Sequence, residues 1–113
     1  MTTPGGPSGG PDKNGILLEA DTKQEAREKT QTLPGFLQAN WKRFVKNTSS
    51  KYLDFRVERA RHGGFMFRAT KPGNVPGSRA VYFKTLDAFG ETTDVFKITY
   101  DNHGNFVHKK DKM

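Results

Sequence analysis

The stretch Arg79 to Lys112, RAVYFKTLDAFGETTDVFKITYDNHGNFVHKKDK, constrains the fold most. Side chains on a strand alternate between two faces, so residues two apart share a face. Val81, Phe83, Phe96, Ile98, Tyr100 and Val107 form one set. Tyr82, Lys84, Val95, Lys97, Thr99, Phe106, His108 and Lys110 form the other. Two turn signals divide the stretch, one near Ala88-Phe89-Gly90-Glu91 and one at Asp101-Asn102-His103-Gly104. The pattern predicts a three-strand antiparallel meander in which Gly104 supplies the positive φ of a bulged hairpin loop. If Asp87 faces Thr92, then Tyr82 faces Lys97 and Lys84 faces Val95. If Tyr100 faces Asn105, then Lys97 faces His108. This register gathers Lys84, Lys97 and His108 on one face, and a one-residue slip in either hairpin would scatter them.

Upstream, Lys51 to Ala60 alternates, with Leu53, Phe55 and Val57 on one side. Arg61-His62-Gly63-Gly64 turns the chain into Phe65-Met66-Phe67-Arg68-Ala69, a second hairpin. The two Pro-Gly pairs in Lys71 to Ser78 require a loop. Leu37, Trp41, Phe44 and Val45 make an amphipathic helical stripe after Pro34, with Trp41 read as core. Asp21 is a candidate N-cap for a polar helix to about Lys29, and Ile16-Leu17-Leu18 is a short apolar run that docks on the core.

Helices followed by strands argue an α+β fold, with N-terminal helices packed on one face of a four- to five-stranded antiparallel sheet. Residues 1–15 are Gly- and Pro-rich and read as a flexible lead-in, leaving 16–113 for a single domain. The expected inner face is Leu53, Phe55, Val57, Phe65, Phe67, Val81, Phe83, Phe96 and Ile98. The other face is expected to stay open, as antiparallel sheets permit.

Composition limits the chemistry. With no cysteine, disulfides and thiolate metal sites are excluded. His103 and His108 lack an accompanying carboxylate pair, so neither a metal nor another cofactor is expected. No segment is apolar enough to span a membrane. Net charge is +7 and pI about 9.8, a balance that favours polyanions through counterion release. The expected open face collects Arg56, Arg68, Tyr82, Phe106 and Lys110 as RNA contacts, with His108, Lys97, Lys84 and Thr99 as candidate catalytic groups. Cations neutralise phosphates and aromatic rings stack on unpaired bases. Imidazole exchanges protons near neutrality, as attack of a 2′-hydroxyl on its own phosphate requires. Glu58 and Asp54 are candidate bases, while His62 and His103 belong to turns.

The segment from Val75 onward also resembles the C-terminal toxin domains of bacterial polymorphic and contact-dependent inhibition toxins. The matching positions are Pro76 to Ala80 with Tyr82 and Lys84, Asp87 and Gly90, Lys97 with Thr99 and Tyr100, and Gly104 with His108 and Lys110. The expected layout is similar to that of barnase, endonuclease-U, colicin and RelE-type ribonucleases. The resemblance implies a metal-independent endoribonuclease, with tRNA as the RNA and an acidic cognate immunity protein as partner. It also implies a free monomer, delivered as a bacterial effector to a target-cell cytoplasm. Two other readings stay open: a non-catalytic nucleic-acid-binding module on the same face, and an adaptor whose basic sheet docks an acidic protein.

Overall fold

The computed structural model describes residues 15–112, so the expected lead-in lies, Gly15 apart, outside the described residues. Six strands lie side by side in chain order, each antiparallel to the next. They are β1 (Ile16–Thr22), β2 (Leu53–Arg59), β3 (Phe65–Pro72), β4 (Arg79–Leu86), β5 (Thr92–Tyr100) and β6 (Phe106–Asp111). Between β1 and β2 come α1 (Lys23–Glu28), a 3-10 turn (Lys29–Thr32) and α2 (Gly35–Asn47). The class is α+β, as expected, but the sheet has six strands rather than four or five. No helix among the described residues is long and apolar enough to cross a membrane.

The extra strand is β1. Its three consecutive apolar residues mask the alternation, which the pairings Leu18↔Val57 and Ala20↔Phe55 reveal. Leu18 and Ala20 are buried while Glu19 and Asp21 are exposed. The α1 cap is Thr22, one residue later than Asp21. Thr22 Oγ1 accepts from the Glu25 amide at 3.1 Å, and Glu25 Oε1 accepts from the Asp21 amide at 2.9 Å. This T-x-x-E arrangement is a variant of the capping box, with the reciprocal bond made one residue earlier.

Trp41 joins the layers. Its indole Nε1 donates to the Ala26 carbonyl of α1 at 3.0 Å, and its ring meets Phe67 edge-on at 5.1 Å and Phe55 at 6.2 Å. Leu37, Phe44 and Val45 complete the buried stripe of α2. On β2 and β3 the inner residues are Phe55, Val57, Phe65, Phe67 and Ala69. Leu53, expected inside, is 41% exposed, because the β2–β3 register shifts between Leu53 and Arg56, around Asp54 with its φ of 53°.

On β4 and β5 the expected faces are reversed. Phe67 pairs with Lys84 and Ala69 with Tyr82, so Lys84 and Tyr82 lie on the helix side. Tyr82 stacks on Phe44 of α2 at 4.9 Å. Arg68 pairs with Phe83 and Thr70 with Val81, which puts Val81, Phe83, Phe96 and Ile98 on the far side. Alternation within one strand defines two faces but does not say which is inner. The parity of the β3–β4 connection decides that. The far-side apolar residues shelter one another: Phe83 stacks on Phe96 at 5.0 Å, and Lys109 Nζ lies 4.6 Å from the Phe96 ring centre.

The two sides should respond differently to truncation. Phe67→Ala should cost about 3–5 kcal/mol in urea unfolding, as for a fully buried phenylalanine. Phe83→Ala should cost about 1 kcal/mol, the scale of a cross-strand aromatic pair. The reverse ranking would place the helices on the Phe83 side.

Candidate nucleic-acid interface

The sheet is wider than its helical cover. The side chains of α2 reach β2, β3 and β4, whereas every residue of β6 is exposed. The helix side of β5 and β6 is therefore bare. Two rungs cross it: Tyr82↔Lys97↔Lys110 and Ala80↔Thr99↔His108. A third begins with Lys84↔Val95 and continues to Lys112, whose amide donates to the Val95 carbonyl at 2.7 Å. Where α2 ends, a cleft of about 340 Å³ opens between Asn47, Tyr52, Tyr82, Lys97 and Lys112.

The electrostatics of this cleft are one-signed. Burial, followed by the cations of Lys112, Lys71 and Lys110, lowers the proton affinity of Lys97. Among the described residues none of these four lysines makes an ion pair; the salt bridges there involve other groups. Lys71 Nζ instead lies 5.5 Å from the centre of the Tyr52 ring. Burial raises the Tyr82 phenol, and burial with the neighbouring Tyr82 raises that of Tyr52, so both stay protonated donors at neutral pH. Uncompensated cations beside phenolic donors make a site for an anion with several oxygens. Among the described residues no three His, Asp or Glu side chains converge as metal ligands.

The structure brings together Lys97, Thr99, Tyr82, His108 and Lys110 on this bare side. His108 faces Thr99 rather than Lys97, because Tyr100 pairs with Phe106 rather than the expected Asn105 and the β5–β6 register shifts by one more residue between Thr99 and Tyr100. Lys97 and His108 are diagonal neighbours, roughly 7–8 Å apart by sheet geometry.

The other candidates lie elsewhere. Lys84 is roughly 16 Å from His108 by strand rise and spacing. It is 6% exposed, and its Nζ donates to Asn40 Oδ1 at 3.1 Å. Asn40 also accepts from Arg43 at 2.9 Å and donates to the Gly90 carbonyl at 2.7 Å. Lys84 thus pins α2 to β4 and the β4–β5 turn. Arg56 and Arg68 lie on the far face, both 3.2 Å from one Glu58 oxygen, with Arg56 also 3.4 Å from Glu19. This engages Glu58 away from His108. Asp54 lines a separate far-side depression with Arg56 and Arg68. Phe106 is 62% exposed and pairs with Tyr100, on the side opposite Thr99 and His108. His62 and His103 are exposed in turns.

Sequence reasoning missed Tyr52, Lys71, Lys112 and Asn47. Lys71 continues the inner alternation Phe67-Ala69-Lys71, and Lys112 continues His108-Lys110-Lys112, so both had a signal. Nothing local marks Tyr52 or Asn47, which reach the cleft through the packing of α2. No family model, curated protein or solved structure matches the chain, so the toxin-domain reading rests on its own residues.

Burial, and secondarily Arg43, lowers the proton affinity of Lys84 in the fold. Between the folded and the ordinary lysine values the unfolded chain binds more protons, so this lysine makes stability rise with pH across that window. Lys84→Met should remove this contribution, leaving stability at pH 7 unchanged or about 1 kcal/mol higher. Urea melts of both proteins from pH 7 to 10 check the difference in slope.

Proposed function

We propose that the protein is a metal-independent endoribonuclease domain, with single-stranded RNA lying across the bare helix side of β5 and β6. One observation carries this: Lys97 and Lys112 line the cleft, the cations of Lys71 and Lys110 act on Lys97, none of the four has an ion-pair partner among the described residues, and the next rung pairs an exposed histidine, His108, with the Thr99 hydroxyl. In this scheme the substrate 2′-hydroxyl attacks the adjacent phosphorus. The O2′–P bond forms and the P–O5′ bond breaks, leaving a 2′,3′-cyclic phosphate and a 5′-hydroxyl. The His108 imidazole takes the 2′-hydroxyl proton. The Lys97 ammonium, a stronger acid than an ordinary lysine, delivers a proton to O5′. Lys110 and the Thr99 hydroxyl stabilise charge on the non-bridging oxygens, and the Tyr82 phenol offers a hydrogen-bond donor beside the track. The toxin-domain resemblance adds tRNA as the RNA, delivery into a target cell and an acidic immunity protein that covers the cleft.

The test is incubation with tRNA and total RNA in EDTA. Products should carry 2′,3′-cyclic phosphate ends, and His108→Ala should slow cleavage by about 10²–10⁴-fold without changing circular dichroism or Tm. Intact RNA with the wild-type protein, or an unchanged rate in the variant, overturns the proposal. The rate should fall at alkaline pH as Lys97 loses its proton. The alkaline limb should lie below the ordinary lysine range, because the Lys97 proton affinity is lowered.

A non-catalytic RNA-binding module is the second reading. It is favoured because the candidate carboxylates Glu58 and Asp54 both lie on the far side of the sheet from His108. In either case binding should weaken with salt. Neutralising four phosphates on single-stranded RNA gives a log–log slope of about −3, and Lys110→Ala should reduce its magnitude by about 0.7.

A further inference from the structure

Lys97 lies in the walls of two cavities. One is the polar cleft at the end of α2. The other, of about 480 Å³, lies between the β3–β4 loop, the adjoining ends of β4 and β5, and the β5–β6 turn. Val75, Ala80 and Val107 give it an apolar lining, and Asn74 and Asn102 add amides. Among the described residues neither amide side chain has a hydrogen-bond partner within the chain, so each can offer both a donor and an acceptor.

The wall is built rather than incidental. In the β3–β4 loop the Gly73 amide donates to the Ser78 carbonyl at 2.9 Å, and the Ser78 amide and hydroxyl both donate to the Val75 carbonyl, at 2.9 and 2.6 Å. Gly77, with φ of 88°, brings this loop against the β5–β6 turn so closely that an added Cβ would lie 3.1 Å from the Asn102 Cβ. Volume and lining match an ordinary small-molecule site, for which roughly 300–1,000 Å³ is usual.

We infer that this cavity is a nucleobase subsite, taking the single unstacked base attached to the nucleotide whose phosphate sits at Lys97. The inference rests on the RNA reading above. A nucleotide is a flat ring with a polar edge joined to a dianion a few bonds away, and the shared lysine places an apolar, amide-bearing chamber directly beside a cationic cleft. The base would enter between Val75 and Val107 and present its edge to Asn74 and Asn102.

The test titrates the four ribonucleoside 3′-monophosphates and ribose 5-phosphate into 15N-labelled protein. At least one nucleotide should bind about tenfold more tightly than ribose 5-phosphate, the scale of one base–protein contact, and should shift the Val75 and Ala80 amides. Ala80→Leu, which fills the chamber, should abolish that advantage while leaving ribose 5-phosphate affinity unchanged. Val75→Ser, on an exposed loop residue, should diminish it even if the first variant does not fold. Equal affinities for all five probes, or a nucleotide preference that survives both substitutions, would overturn the subsite and leave the cationic cleft standing. Failure of every probe to bind would overturn the RNA reading and the subsite with it.

Discussion

The Trp41 indole is the contact on which the rest of the molecule depends. Its N–H holds α1 through the Ala26 carbonyl, and its ring lies edge-on to Phe67 and Phe55 of the central strands. A polar tip with a partner and an apolar body fully enclosed is the arrangement that lets a tryptophan join layers without leaving a donor unsatisfied. The helical layer is short, and α2 ends at Asn47 while the sheet continues for two more strands. A six-strand meander with a cover suited to four must leave part of one face open.

That overhang explains the electrostatics. Under α2 a lysine must be buried and held, as Lys84 is by Asn40. Beyond α2, Lys97, Lys110 and Lys112 need no such accommodation, and among the described residues they have no ion-pair partner. Burial, and then the cations of Lys112, Lys71 and Lys110, lowers the proton affinity of Lys97. The carboxylates of the sheet are directed away from them: Glu58 and Glu19 neutralise Arg56 and Arg68 on the far face. One sheet surface is thus nearly balanced in charge and partly apolar, while the other carries an unneutralised cationic strip beside two phenols.

Much of the fold was legible from local pattern. The β2–β3 hairpin, the α2 stripe, the three C-terminal strands and the pairings Tyr82↔Lys97, Phe83↔Phe96 and Lys84↔Val95 follow from alternation and turn residues. β1 was hidden because three consecutive apolar residues carry no period. The Tyr100↔Phe106 pairing and the shift between Thr99 and Tyr100 were hidden because both depend on how a loop closes, and together they moved His108 one rung from Lys97 to Thr99. The expected grouping of Arg56 and Arg68 with His108 failed for another reason. Each strand's alternation is a separate statement, and relating β2 and β3 to β5 and β6 needs the parity of the connection between Lys71 and Arg79.

What the amino-acid order determined by itself is therefore the elements other than β1, the class α+β, the basic balance of the chain and, away from the register shifts at Leu53 and Phe106, the membership of each strand's two faces. Those depend on side chains within a few residues of one another. Tertiary structure decided which face lies beneath the helices, how far the helices reach, and hence that Lys84 is a structural pin while Lys97, Thr99 and His108 line an open surface. The physical reason is that burial is a relation between distant segments: the same alternating strand satisfies backbone hydrogen bonding either way up, and only the packing of Trp41 and Phe44 against Phe67 and Tyr82 selects one side.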